Sequence, residues 1–438
     1  MRIILILFVI YELSSNGFCE KFRFDNYSLY KILPTTDDHI KVLQDLQNED
    51  PYLDFWKDPT PKVPFVMVLS SPDKKPKLEN FLSQHGMDFE ITIPNVQENI
   101  DKETVREYTR NNNGSMSWDT YYTLDGINNW IAQLINQYPN IVSGIVGGYS
   151  YEGRPILGIK ISHGPGRRAV VLEAGIHARE WISPAATNFI ANELLSSDDE
   201  MTKSAARDYD WYIFPVTNPD GYVWSYKEFR MWRKNRRPIG VHFGVDLNRN
   251  WNSNWLRFGA STNPISNTYA GTGPFSEPET RSLSEYLRTI KDMDYYLSIH
   301  SWGQMLLVPF GNTTEPLDNY HDAVNIGRRA MGALSVRYGT NYTTGNIAEV
   351  LYFATGGSDE WVKEHLHVPF VYCYELRDSG EHGFLLPPEQ IRPTGEETLD
   401  SIVDLLFQAR RFGLVSSSGH VKVSLLIMLT SILMLSVI

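Results

Sequence analysis

The sequence predicts an α/β protein, a sheet covered by helices on both faces, with a smaller α+β unit in front of it. Three observations lead there. Beyond about residue 118, strand-like apolar runs alternate with helix-length stretches, the pattern of a sheet with helical crossovers. Residues 20–110 carry a different mixture of short helices and strands and end in a polar linker. The chain, at 438 residues, is also too long for one ordinary domain.

In the first unit, apolar positions within Ile40–Leu46 and Leu78–Leu82 suggest two helices. Pro64–Leu69 and Phe89–Ile93 read as strands, the second with clean alternation that sets Phe89, Ile91 and Ile93 on one face. Glu103–Ser117 is Asn-rich and polar, and it holds Arg106 and Arg110. That is a linker with trypsin-type cleavage points. In the second unit, strands are expected at Ala169–Leu172, Tyr212–Phe214, Tyr295–Ile299 and Phe370–Tyr374. Helices are expected at Pro184–Leu195, Glu277–Ile290, Asp322–Tyr338 and Glu396–Gln408.

A 42% hydrophobic and 21% charged composition suits a large core, and a net charge of −12 argues against a general attraction to nucleic acid. Residues 1–19 place Arg2 before an apolar run and small residues, which reads as a secretory signal peptide. Cys19 and Cys373 are the two cysteines, so removal of the signal leaves a lone thiol and no internal disulfide. Sequons at Asn26, Asn113, Asn312 and Asn341 fit the same route. Residues 416–438 begin with small residues and end in an uncharged apolar run from Val423 to Ile438. That run is short of the about 20 residues a spanning helix needs. It reads as a lipid (GPI) anchor signal, with a retained membrane helix or an apolar terminal helix as alternatives. The expected location is the secretory pathway, then the exterior, free or held at the cell surface.

Ligands gather where the strands of an open α/β sheet end, and three predicted strands finish in ionisable residues. The first leads into His177 and Glu180, the second ends at His300, and the third ends at Glu375. Two imidazoles and a carboxylate leave a fourth tetrahedral position open, the arrangement of catalytic zinc, and Glu375 would then move a proton from water to a leaving amine. Taken singly, each residue has a plainer reading. His300 would end a strand, Glu180 would favour a helix start, and Glu375 would pair with Arg377. Arg230–Arg237 supplies five arginines and lysines in eight residues. It is either a carboxylate-recognising lining or a solvated basic face.

Together these segments closely resemble the zinc metallocarboxypeptidases of the pancreatic A/B type. The markers are GIHAREW (175–181), TNPDGY (217–222), RMWRKNR (230–236), GVDLNRNW (244–251), LSIHSW (297–302), GGSDEW (356–361) and YELRDSGEHGFLLP (374–387). The resemblance implies a central mixed sheet flanked by helices in a catalytic domain at 111–415, after an activation domain at 20–110. It implies one Zn²⁺ per chain on His177, Glu180 and His300, with Glu375 as general base and Arg233 polarising the scissile carbonyl. It makes Asn248, Arg249 and Tyr352 the holders of the substrate's terminal carboxylate, and it puts Arg179 and Arg230 along the approach. The partners implied are peptide and protein substrates and a trypsin-like activating protease. Asp359 stands where B-type members, which prefer C-terminal Lys or Arg, carry an aspartate. An outward-turned Asp359 is the alternative, and Gly311 gives the pocket no second anion. Ile265 occupies a position where digestive members have a disulfide cysteine. The apolar tail resembles the membrane-anchored carboxypeptidase O branch, whose pocket is basic. The rival readings are apolar, aromatic or acidic end preference, a non-catalytic peptide-binding member, and a zinc deacylase.

Overall fold

The computed structural model describes residues 21–61, 64–103, 105–107 and 116–415. The expected signal at 1–19, the linker positions Arg110 and Asn113, and the tail at 416–438 lie outside the described residues.

The first unit is a four-stranded antiparallel sheet in the order β2-β3-β1-β4, with β1 Ser28–Leu33, β2 Asp54–Lys57, β3 Val66–Ser70 and β4 Asp88–Ile93. Helices α1 Asp37–Glu49 and α2 Lys75–Gln84 cover one face, and the short α3 Val96–Ile100 follows β4. Thr36 caps α1 by accepting the His39 amide at 3.1 Å, and two aspartates in the first turn suit the helix dipole. The other face of the sheet sets Leu29, Trp56, Met67 and Leu69 against Met231, Trp302 and Phe384 of the second unit. The predicted alternation of β4 fails at Ile91, which is 41% exposed. Ile91 stands opposite Tyr30 at the sheet edge, and a bulge between it and Ile93 carries Ile93 to the opposite face, beside Leu29.

The linker is tied down at its start. Val105–Arg106 (β5) pairs in parallel with Tyr121–Tyr122 (β6), although Arg106 itself stays exposed.

The second unit is built on an eight-stranded mixed sheet. In chain order its strands are β7 Val142–Tyr149, β8 Pro155–Ile161, β9 Arg168–Ala174 and β10 Tyr209–Phe214, and then, after a small hairpin of β11 Pro238–Ile239 and β12 His242–Phe243, β13 Met293–Ser301, β14 Met305–Val308, β15 Thr343–Asn346 and β16 Phe370–Leu376. Their spatial order is β15-β14-β16-β13-β9-β10-β8-β7, and β16, β13, β9 and β10 run parallel. The helices are α4 Leu124–Gln137, α5 Ile182–Ser196, α6 Glu200–Asp208, α7 Pro219–Lys227, α8 Pro278–Leu287, α9 Tyr320–Tyr338, α10 Ile347–Val350, α11 Ser358–Leu366 and α12 Ile391–Arg411.

Both faces of the central strands are buried, so these strands read as continuous apolar runs. Val170 and Leu172 of β9 pack with Trp130 of α4, Phe189 of α5 and Leu405 of α12. Their neighbours Ala169 and Val171 point the other way, to Leu283 of α8 and Trp361 of α11. Each fully buried aliphatic or aromatic side chain contributes roughly 1.5–3 kcal/mol. α12 begins at Ile391, ahead of the predicted Glu396, because Pro393 falls in the first turn, where a missing N–H breaks no helical bond.

Candidate active site

The site forms at the carboxyl ends of β9, β13 and β16, three parallel neighbours. β10 lies on one side of β9 and β13 on the other. The strand order therefore reverses at this point and opens a crevice. Past β9, Gly175 takes φ +64°, where a Cβ would lie 2.9 Å from the Pro215 carbonyl oxygen. Glycine thus makes the sharp turn that carries His177 and Glu180 just before α5 opens. His300 sits within β13, in register with Glu375 of β16.

These elements bring three of the predicted ligands together. Nδ1 of His177 lies 2.7 Å from Glu180 Oε1 and 3.1 Å from His300 Nδ1, which in turn is 3.1 Å from Glu180 Oε2. The ligand atoms of the trio lie within 4.8 Å of one another, and all three residues are buried. Among the described residues no other such group converges. Two imidazole lone pairs and a carboxylate this close repel unless a cation lies among them, so the donor set fits a single zinc ion. Burial works against charge on His300, yet the hydrogen bond and charge of Glu180 prevail and raise it to about 9. Burial likewise opposes ionisation of Glu180, but the two histidines outweigh it and hold its carboxyl far below the usual range.

Asp246, missed by the sequence reading, orients the trio from behind. Its Oδ1 lies 3.2 Å from His177 Nε2 and accepts the Asn248 amide at 2.9 Å, and its Oδ2 accepts from Arg233 at 2.9 and 3.1 Å. A proton on Nε2 leaves Nδ1 of His177 free to ligate. The signal was available, since a ligating histidine needs a carboxylate or carbonyl partner and Asp246 opens the DLNRN segment.

A cavity of about 1120 Å³ lies over the trio between the two units. It is lined by Arg179, Arg233, Asn248, Arg249, Tyr352, Asp359 and Glu375 as well as the three ligands. Arg249 donates to the Tyr352 hydroxyl at 3.2 Å. Burial, with the charge of Glu180, pushes Glu375 up to about 8 against the pull of His300. The plainer reading of Glu375 fails, because Arg377 pairs with Glu397 instead. Asp359 is 4% exposed and turned inward, and its Oδ2 has no hydrogen-bond partner.

The basic cluster is not a solvated face. Arg233 holds Asp246, Lys234 donates to the Pro264 carbonyl at 2.6 Å, and Arg236 stacks on Trp224 and Trp232. With the first unit in place Arg230 is fully buried and is not among the cavity's lining. Glu103 of the first unit grips its guanidinium at 2.6 and 2.8 Å. Asp54 of the same unit accepts from Arg179 at 2.9 and 3.0 Å.

Fold and donor set together define a single-site zinc hydrolase. Comparison with known proteins narrows this. Residues 127–401 match the family model described as zinc carboxypeptidase, and residues 30–103 match that described as carboxypeptidase activation peptide. A zinc carboxypeptidase of Simulium vittatum is 48% identical over 302 residues, 68% of this chain and 99% of that protein. Zinc carboxypeptidase A 1 of Anopheles gambiae is 38% identical over 395 residues, 89% of this chain and 91% of that protein. The crystal structure of carboxypeptidase A from Helicoverpa armigera superposes with a TM-score of 0.79 at 31% identity, covering 88% of this chain and 98% of that one. The chain belongs to the zinc carboxypeptidase family. It is a metallocarboxypeptidase made as a zymogen, with zinc as its cofactor.

The two cross-unit ion pairs have a measurable consequence. Removing one partner of a buried pair costs about 3–5 kcal/mol because a charge is stranded. In Asp54→Ala/Glu103→Ala the uncleaved zymogen should turn over a small peptide about tenfold or more faster than wild type. The proteolytically activated variant should match activated wild type. Equal activity of the two zymogens would show that these pairs do not hold the activation domain in place.

Proposed function

We propose that this chain, once cut near Arg106 or Arg110, releases single C-terminal lysine or arginine residues from peptides and proteins. The observation that carries the side-chain choice is Asp359, a buried carboxylate in the cavity wall with an unpartnered oxygen. An unpaired buried charge is costly until a matching cation arrives, and the same carboxylate disfavours an apolar guest. Met305, Leu307, Ile347 and Cys373 form an apolar cluster on the same cavity wall, suited to the aliphatic stem of such an end.

Zinc held by His177, Glu180 and His300 would supply Lewis acidity toward the scissile carbonyl and toward water. Glu375 is the general base, taking the proton from water and returning it to the leaving nitrogen. Arg233, kept charged by Asp246 despite its burial, stabilises the carbonyl oxygen as it gains charge. Asn248, Arg249 and Tyr352 hold the terminal carboxylate, which limits cleavage to the last bond. Arg179 and Arg230 serve upstream substrate residues after the activation domain leaves.

Arg233→Ala should lower kcat by about 10²–10³-fold with KM little changed, since the group acts on the developing oxyanion. A rise in KM at constant kcat would assign Arg233 to ground-state binding instead. The proposal as a whole is tested with activated wild type and peptides that differ only in the last residue. Release of Lys and Arg well ahead of Phe and Glu is expected, and preference for Phe or Glu ends would overturn it.

In the rest of the chain, residues 20–110 serve as the activation domain and 111–415 as the catalytic domain. Residues 1–19 act as a secretory signal, and 416–438 as a lipid-anchor signal that holds the enzyme at the cell surface. No helix among the described residues is long and apolar enough to cross a membrane. Asn26 and Asn341 lie at exposed positions open to glycosylation, and Asn312 is half-buried.

A further inference from the structure

The TNPDGY segment takes no part in the cavity, since residues 217–222 are all buried and none is among the lining. Asn218 caps α7, its Oδ1 accepting the Gly221 amide at 3.0 Å. A cap needs only that oxygen, yet the other half of the side chain is also engaged. Nδ2 donates to the Ile176 and Lys234 carbonyls, each at 3.1 Å, with the Arg233 carbonyl at 3.4 Å. Ile176 directly precedes the ligand His177. Directly after His177, the Ala178 amide donates to the Arg233 carbonyl at 3.0 Å. The ligand turn and the loop that carries Arg233 are therefore joined on both sides of His177, once by backbone and once by Asn218.

The clip stands on fixed points. The Asn218 amide donates to the Gly175 carbonyl at 3.2 Å. Asp220, in the first turn of α7, accepts the Ser150 hydroxyl and the Glu152 amide at 2.7 Å each. Only glycine fits at 221, because a Cβ there would lie 2.4 Å from the Lys234 carbonyl oxygen and 2.5 Å from Asn218 Nδ2. Asp246 holds the guanidinium end of Arg233, and Asn218 holds its backbone end.

We propose that Asn218 is a positioning residue for Arg233, fixing the guanidinium relative to the zinc-ligand turn through the carbonyls of Ile176 and Lys234. The inference rests on Arg233 acting on the developing oxyanion. A preorganised charge works only where it is aimed, and a misplacement of about 1 Å can cost about 10²-fold in rate. Capping alone does not call for asparagine, since Asp and Ser rank beside it at a helix N-cap. What Asn adds is an amide that accepts from the helix with one atom and donates to carbonyls with the other. An ionised Asp offers no donor, and a Ser hydroxyl is too short to span the two carbonyls.

The test compares activated wild type, Asn218→Asp, Arg233→Ala and the double variant on the peptide that wild type cleaves fastest. Each protein is checked for zinc content and thermal unfolding. Asn218→Asp keeps the shape and the cap but withdraws the donor. Its kcat should fall about 10- to 100-fold at wild-type zinc content, with KM little changed. In the Arg233→Ala background the same substitution should have almost no further effect on kcat, because the group it positions is gone. A wild-type kcat in Asn218→Asp would make Asn218 a helix cap only and overturn the proposal. Fully additive losses in the double variant would overturn it as well, since Asn218 would then act through the fold or the zinc turn and not through Arg233. If Arg233→Ala itself leaves kcat unchanged, the oxyanion reading fails, and the role of Asn218 fails with it. Should Asn218→Asp not fold, Asn218→Ser carries the same cycle, and a wild-type kcat there counts equally against the proposal.

Discussion

Glu375→Gln should lower kcat by roughly three orders of magnitude while zinc stays bound, within the 10²–10⁴-fold range of a lost general base. The substitution is isosteric, and Glu375 is not one of the three converging ligands, so metal content should match wild type. Retained turnover in a zinc-replete variant would remove Glu375 from the chemistry. The same residue sets a pH limit. A base must be ionised, so kcat/KM should fall as pH drops through the pKa of Glu375. Burial and Glu180 lift that carboxyl to about 8, and the charge of bound zinc pulls it down again. The acidic limb of the wild-type profile should therefore lie below pH 8, and a limb above that value would contradict the assignment.

Asp359→Arg should have a comparably large effect, on specificity rather than on the chemical step. A guanidinium placed at the pocket floor repels a basic guest, and juxtaposed like charges cost several kcal/mol. Cleavage of Lys and Arg ends should fall by roughly 10³-fold, and acidic ends should become the best substrates. The gain for acidic ends should be smaller than the loss for basic ones, because Glu360 lies alongside to neutralise part of the new charge. Peptides differing only in the last residue measure both changes. A variant that still prefers Lys or Arg would show that residue 359 does not face the guest.

Much of the fold was legible because burial on both faces imposes long apolar runs. Ala169–Leu172 and Tyr295–Ile299 carry that mark, and both lie within strands of the central sheet. Edge and boundary features were less legible. Ile93 changes face through a bulge in β4 that follows Ile91, and the start of α12 is obscured by Pro393. Within the site, His177, Glu180 and His300 were found from their positions after apolar runs. Asp246 was not: a ligating histidine calls for a carboxylate partner, but only the fold shows that the aspartate opening the DLNRN segment is the one that meets His177. Arg230 was set along the approach, but in the zymogen Glu103 holds it buried.

The sequence by itself determined the kinds of groups available: two imidazoles and a set of carboxylates just past or at the ends of buried strands, and a run of cations after a helix. It also determined the two-unit order, since the change from short mixed elements to strand–helix alternation is local. Only the tertiary structure decided which groups meet. His177 and His300 are separated by 123 positions yet stand 3.1 Å apart, and Glu103 reaches Arg230 across 127. Hydrogen-bond partners, burial and the shifts they cause are set by segments that pack together from distant parts of the chain. No local pattern encodes that a carboxylate such as Glu360 will be left buried with one oxygen bound to a backbone amide and the other still without a partner.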